Sequence, residues 1–203
     1  MMNIILASNN QHKVDELAAL FATCSLPIQL ISQKEWFKGA PPEIEESGLT
    51  LHDNAALKAN ALYSMTGMPV ISDDTGLEVY TLDMAPGVFS ARYAGIHGDD
   101  RANRSTLLEA LLPKTNRAAR FRTVLHFMDN QTTLISEGIC EGTIAMQERG
   151  IHGFGYDSIF IPEGQSMTFA EMSQGEKQEY SHRAKAGLAL GNLLQQYIMN
   201  MKQ

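Results

Sequence analysis

Apolar runs alternate with amphipathic stretches along the first half of the chain. Asn3 to Ala7 is a short apolar run that predicts a strand. The polar segment Ser8-Asn9-Asn10-Gln11-His12-Lys13 follows, after which Val14, Leu17, Ala18 and Phe21 recur at helical spacing. Residues 28 to 31 predict a second strand. From about Thr50 to Met65 the pattern predicts a helix with Leu51, Ala55, Ala59 and Leu62 as its core stripe. Asn54 and Lys58 share another face of that helix at i, i+4. Val70-Ile71, behind Pro69, predicts a buried strand that runs into Asp73-Asp74, with Thr75-Gly76 reversing or bending the backbone. Leu77 and Val79 then alternate with Glu78 and Tyr80 in what reads as another strand.

The second half has a different texture. A long turn-rich segment, Ala85 to Gly95, precedes a helix from about Asp99 to Leu112 that Pro113 ends. Phe121 to Met128 predicts a strand and Asp129-Asn130 a hairpin turn. Thr132 to Ala145 predicts one or two more strands, broken by Gly138 and Gly142. Ser181 is placed to cap a final helix reaching about residue 200. An α/β start followed by a β-rich middle suggests one domain, 1–203, made of two lobes. The first is roughly 1–115 plus 150–203, and the second is built around roughly 116–149.

Chemistry concentrates at four places. Two ionised carboxylates side by side, Asp73-Asp74, are costly to desolvate unless a cation or substrate compensates them. On a strand they point to opposite faces, which predicts one for chemistry and one for scaffolding. A turn with two solvated acids is the competing reading. Lys13 sits in the first turn of a helix, the end cations avoid, which suggests an anion nearby. His182 and Arg183 repeat that anomaly after Ser181. The glycines and aromatics of Gly153-Phe154-Gly155-Tyr156-Asp157 would suit a flat ring, or core packing.

Composition narrows the classes. The chain has 203 residues, 44% of them hydrophobic and 19% charged, as expected of a globular enzyme rather than a disordered chain. A net charge of −7 speaks against a broad nucleic-acid surface but permits a small polyanionic ligand. No run approaches the roughly 20 apolar residues of a membrane span, the start lacks a basic leader pattern, and Cys24 and Cys140 lack metal spacing. The chain reads as cytoplasmic.

Six segments together closely resemble the RdgB-type inosine/xanthosine triphosphate pyrophosphatase family. They are Ser8-x-Asn10-x-x-Lys13, Asn54-Ala55-x-x-Lys58-Ala59, Ser72-Asp73-Asp74-Thr75-Gly76-Leu77, Pro86-Gly87-x-x-Ser90-Ala91-Arg92-Tyr93-x-Gly95, Gly153-Phe154-Gly155-Tyr156-Asp157 and Ser181-His182-Arg183-Ala184. The resemblance implies an α/β fold with a mixed central β-sheet flanked by helices, two lobes with the active site in the cleft between them, and a homodimer. It implies Mg²⁺-dependent hydrolysis of ITP, dITP and XTP to the monophosphate and pyrophosphate. Asp74 would be general base and metal ligand, with Glu46 the second ligand. Ser8, Asn9, Asn10, Gln11, His12 and Lys13 would hold the phosphates, aided by Lys58, Thr75 and Arg92. Phe154, Gly155, Tyr156 and Asp157 would contact the nucleoside, and Lys177, His182 and Arg183 the base. Four positions depart from the pattern: Ser8 stands for a threonine, Asn9 for a glycine, Thr75 for a serine and Ser158 for a proline. A related pyrophosphatase for modified pyrimidine or methylated nucleotides, and a nucleotide sensor without turnover, are the competing functions.

Overall fold

A computed structural model describes residues 1–24 and 26–201. The chain divides into two compact units: Met1–Asp74, Thr123–Gly138 and Arg183–Gln203 form one, and Thr75–Arg122 with Ile139–His182 the other. The changes of unit thus fall at 74/75, 122/123, 138/139 and 182/183, not near 115 and 150 where the sequence suggested them. Six strands hydrogen-bond in the order β2-β1-β3-β4-β5-β6. Pairing is parallel for β1–β2 and β1–β3 and antiparallel for β5–β6, so the sheet is mixed as expected.

The first unit is built on β1 (Met2–Ala7), whose last four residues are buried on both faces. That double burial explains the unbroken apolar run in the sequence. Flanking it are β2 (Ile28–Ser32) and the first half of β3 (Val70–Val79). Alternate residues serve different helices. Ile4, Leu6 and Ile71 pack with Leu17 and Phe21 of α1 (Gln11–Thr23) and with Ala186, Leu190 and Leu194 of α6 (His182–Asn200). Ile5, Ala7 and Val70 pack with Ala59 and Leu62 of α3 (Leu51–Thr66). Thr50 and Asp53 form a reciprocal capping box at the start of α3, and Gly67, at φ 64°, closes its end. The short α2 (Gln33–Trp36) follows β2 directly.

The second unit gathers an aromatic core of Phe121, Phe160 and Phe169 with Leu77, Val79, Leu107 and Tyr156. Its helices are α4 (Asp100–Ala110) and α5 (Gln174–Tyr180). The strands β4 (Ala118–Met128) and β5 (Thr133–Ile144) belong partly to each unit, and β6 (Phe160–Pro162) to this one. Along β4, burial alternates from Ala118 to Arg122 and is continuous from Thr123 to Phe127. The turn-rich stretch is anchored internally. Ser90 Oγ accepts from the Leu77 N–H and donates to the Gly87 carbonyl, and Asn103 grips Ala91 and Ala94.

Two expectations need correction. Thr75-Gly76 neither reverses nor breaks the chain: β3 is one strand of 10 residues, so the two predicted strands are one. Likewise β5 is unbroken through Gly138 and Gly142. At Gly142 a β-carbon would lie 2.2 Å from the Ile161 carbonyl oxygen, so this glycine permits close strand approach rather than a break. Lys177 lies in a separate helix, α5, for which Ser181 is the C-terminal cap, and α6 begins at His182, directly after Ser181, as expected. Among the described residues no helix is long and apolar enough to cross a membrane.

One buried histidine sets a pH limit on the first unit. His126 is 4% exposed, with neither ring nitrogen hydrogen-bonded among the described residues. Burial, and then His52 with its ring centroid 6.1 Å away, lower its pKa. The unfolded chain therefore binds this proton more readily than the folded one, and stability falls as pH drops below the ordinary histidine value. Melting temperature is expected to decline between pH 8 and pH 5.5, and His126→Leu to flatten that slope in thermal denaturation series.

Candidate active site

The strand β3 lies between two helix layers in the first unit, and alternation sends its polar residues to different ones. Ser72 and Asp74 point with Val70 toward α3, where the Ser72 hydroxyl donates to the Ala55 carbonyl at 2.6 Å. Asp73 points with Ile71 toward α1 and α6. The two carboxylates are thus directed to opposite helix layers, as strand alternation predicts.

Asp73 is fully engaged. One oxygen accepts from the Lys13 ammonium, and the other accepts from Arg183 Nε at 2.8 Å. Arg183 also reaches Glu16 at 2.5 Å. The Asp73 and Arg183 side chains are 0% and 2% exposed, so this is an interior ion network. Burial alone would raise the Asp73 pKa, but Arg183 and Lys13 outweigh it and hold the carboxyl well below its usual range. Burial lowers the Lys13 pKa in spite of Asp73, whereas Asp73 and Glu16 raise that of Arg183 against its own burial. The two cations at helix starts therefore do have an anion beside them, and it is Asp73. A phosphate is not needed to explain their positions.

Asp74 is differently placed. Its Oδ1 accepts from Lys58 Nζ at 2.7 Å, and the same ammonium donates to Glu46 Oε1 at 2.9 Å. Its Oδ2 takes no hydrogen bond among the described residues. Burial raises the Asp74 pKa, with Lys58 and then Lys13 pulling the other way. Burial would lower the Lys58 pKa, but Asp74 and Glu46 reverse the sign. Two carboxylates sharing one cation form a hard-oxygen donor pair of the kind divalent magnesium uses, with water and phosphate completing its shell. Among the described residues no group of three or more His, Cys, Asp or Glu side chains could hold a metal by protein ligands alone.

The segment from Ser8 to Lys13 is more self-contained than its sequence suggests. Asn10 caps α1, and its Oδ1 accepts from the His12 and Lys13 amides at 3.0 and 3.4 Å. The Ser8 hydroxyl accepts from the Asn10 amide. Asn9, the residue in the glycine position, is tied by its side chain to the buried Gln33 of α2 at 2.5 Å. Gln11 and His12 are exposed.

In the second unit, the segment Gly153–Asp157 is pinned from several sides. The Asp157 carboxylate accepts from the Phe154 amide at 2.9 Å and from Lys177 Nζ at 2.8 Å. Gly153, at φ +77°, leaves room that a β-carbon would fill, 2.1 Å from Asp157 Oδ2. Asp100 accepts from the Gly155 amide and Arg104 donates to the Gly155 carbonyl, both from α4. The Lys177 ammonium lies 5.1 Å from the Phe154 ring centroid. Tyr156 is buried, with its hydroxyl on the Ser90 carbonyl at 2.8 Å. His182 stacks on Phe121 at 4.5 Å. Arg92 lies over the Phe89 ring at 5.4 Å, and Thr75 is half-buried.

Each unit thus brings together part of the predicted set. Lys13, Glu46, Lys58, Asp74 and Arg183 cluster in the first, and Phe154, Gly155, Tyr156, Asp157 and Lys177 in the second. Sequence reasoning missed Glu16, Gln33, Asp100 and Arg104. The i, i+4 spacing of Asp100 and Arg104 marks a shared helix face, but nothing local points them at Gly155.

In this mixed-sheet α/β protein an interior ion network thus lies beside a pair of carboxylates that share one lysine. The chain belongs to the Ham1 family, whose model matches residues 4–193. The resemblance drawn from its motifs is borne out. It is similar to the dITP/XTP pyrophosphatase of Haemophilus ducreyi, 43% identical over 92% of this chain and 95% of that one. That of Porphyromonas gingivalis is 44% identical over 96% and 98%. Among solved structures, a HAM1 protein from Coxiella burnetii superposes with a TM-score of 0.87, at 40% identity over 97% of this chain and all of that one. The Staphylococcus aureus Ham1 protein gives 0.84 at 36% identity, covering 96% and 99%.

Asp73→Asn leaves Lys13 and Arg183 without their shared counter-charge, an arrangement that costs about 3–5 kcal/mol in buried sites. Urea denaturation at pH 7 is expected to show a loss of that size. Because the folded pKa is depressed, the carboxylate's contribution is present above the unfolded value of about 3.9 and is lost as pH falls through the folded value. Acid unfolding below about pH 4 should accordingly be steeper in the parent protein than in Asp73→Asn.

Proposed function

We propose that this protein is a nucleoside triphosphate pyrophosphatase that hydrolyses the non-standard purine nucleotides ITP, dITP and XTP, cleansing the cytoplasmic nucleotide pool. The reading is supported by family membership and by relatives named dITP/XTP pyrophosphatase over nearly their whole length. The observation that carries it is the difference between the two neighbouring carboxylates. Asp73 is spent on Lys13 and Arg183, while Asp74 keeps an oxygen available and has a raised pKa.

The bond we assign is the α–β phosphoanhydride. Water attacks the α-phosphorus, Asp74 orients it and takes its proton, and pyrophosphate leaves from the nucleoside monophosphate. Positioned general-base catalysis of this kind contributes about 10²- to 10⁴-fold. Glu46 and Asp74 fit Mg²⁺ by donor type and by already sharing one cation, Lys58. Bound there, the ion would offset triphosphate charge that otherwise repels the nucleophile. Lys58 adds positive charge beside the reacting phosphate, and Lys13 with residues 8–12 supplies it further along the chain. Thr75 and Arg92 are assigned supporting contacts to the phosphates.

We assign Phe154 to Asp157 to the nucleoside, with the Phe154 ring as the stacking surface. Lys177, His182 and Arg183 are donors suited to a 6-keto purine. A site with buried donors rejects adenine, which lacks that acceptor, far better than an apolar slot rejects a methylene. We further assign a homodimer, to be checked by light scattering against the 22.4 kDa chain mass.

The deciding assay offers ITP, dITP, XTP, ATP and GTP with Mg²⁺ and measures pyrophosphate separately from orthophosphate. Pyrophosphate from the first three, with little from ATP or GTP, is the expected pattern. Binding without turnover would identify a sensor, and orthophosphate would identify another phosphatase. Asp74→Asn is expected to keep its fold by circular dichroism and lose about 10²-fold or more in kcat. Near-parental turnover in that variant would remove Asp74 from its role.

A further inference from the structure

The loop that carries Glu46 has no regular structure, yet it is held to α3 at two places. Lys58 donates to the Glu46 carboxylate at 2.9 Å, and one turn earlier Asn54 Oδ1 accepts from the Gly48 amide at 2.8 Å. Four helical residues rise about 6 Å, close to the roughly 6.6–7.2 Å that two residues of extended chain can span. The spacing 46/48 on the loop thus matches 58/54 on the helix, with the loop running antiparallel to α3. The second contact is tight. A β-carbon on Gly48 would lie 2.6 Å from both Asn54 Oδ1 and Asp53 Cβ and 2.9 Å from the Asn54 amide nitrogen. The φ of Gly48 is not positive, so close approach and not backbone conformation requires glycine here.

Asn54 is 0% exposed, and its Nδ2 has no hydrogen-bond partner among the described residues. A buried donor without a partner is destabilising. A small apolar residue at this place on a packed helix would avoid that cost, so the amide is retained for what its oxygen does. From this we infer that Asn54 is a positioning residue for the reaction: through Gly48 it sets the place of Glu46 beside Lys58 and Asp74. The inference deepens the pyrophosphatase reading and rests on it for its kinetic consequences, but the loop contact can be tested apart from it.

Two variants attack the contact from opposite sides, Asn54→Ala from the helix and Gly48→Ala from the partly buried loop. In metal-free protein, hydrogen exchange at the residue-48 amide is expected to speed up roughly five- to tenfold in Asn54→Ala, what one net hydrogen bond is worth. Exchange in the middle of α3 should not change. With substrate, each variant should raise the Mg²⁺ concentration for half-maximal rate by about 10- to 100-fold, as loss of a group supporting a metal ligand typically does. KM for ITP should stay within about twofold at saturating Mg²⁺, since uniform substrate binding is not what the contact supplies. The double variant should be no worse than the worse single one, because both remove the same contact. Unchanged residue-48 exchange, or unchanged Mg²⁺ dependence in an active variant, would overturn the assignment. If the parent protein turned over none of these nucleotides, the functional reading would fail while the exchange result still decided the contact.

Discussion

Alternation along a β-strand is the constraint on which the site depends. Within β3, neighbouring residues must face opposite helix layers, so Asp73 and Asp74 cannot share an environment. One meets Lys13 and Arg183, the other meets Lys58. The same residue type then acquires opposite pKa directions, lowered at Asp73 and raised at Asp74. A pair of acids that would be unfavourable as a unit becomes a fixed counter-ion on one face and, on the other, a carboxylate bonded through one oxygen to Lys58.

That partition also explains the cations at helix starts. Lys13 and Arg183 oppose the dipoles of α1 and α6, a cost that the carboxylate between them offsets. Asp73 therefore ties the starts of two helices to the strand between them, through groups almost wholly removed from water. Breaking such a network is costly because it strands charges, even where building it adds little net stability. The same interaction that holds α1 and α6 frees Asp74 from any scaffold duty toward them.

The second unit uses a comparable device at smaller scale. Asp157 and Lys177 form a buried pair, and the same carboxylate accepts from the backbone of the loop it belongs to. Asp100 and Arg104 then hold Gly155 from α4. A loop held by its peptide groups keeps its shape without relying on its own side chains, which leaves the Phe154 ring half-buried rather than packed away. The core-packing reading suits Tyr156, which is buried, better than it suits Phe154.

Much of this was legible before any fold was known. The periods of Asn3–Ala7, Leu51–Leu62 and Phe121–Met128 placed their elements, because burial on one or two faces writes directly into spacing. Glycine misled at Thr75-Gly76 and in β5, since local propensity marks a break where the strand in fact runs on, and at Gly142 the missing β-carbon serves close approach instead. The sequence by itself determined that Asp73 and Asp74 must face opposite ways, a consequence of backbone geometry that needs no other residue. Only the tertiary structure decided which carboxylate meets which cation. Asp73 pairs with a residue 110 positions away, and Glu46 and Gly48 are placed by side chains a turn apart on α3. Contacts of that separation depend on how helices pack, which no local spacing encodes.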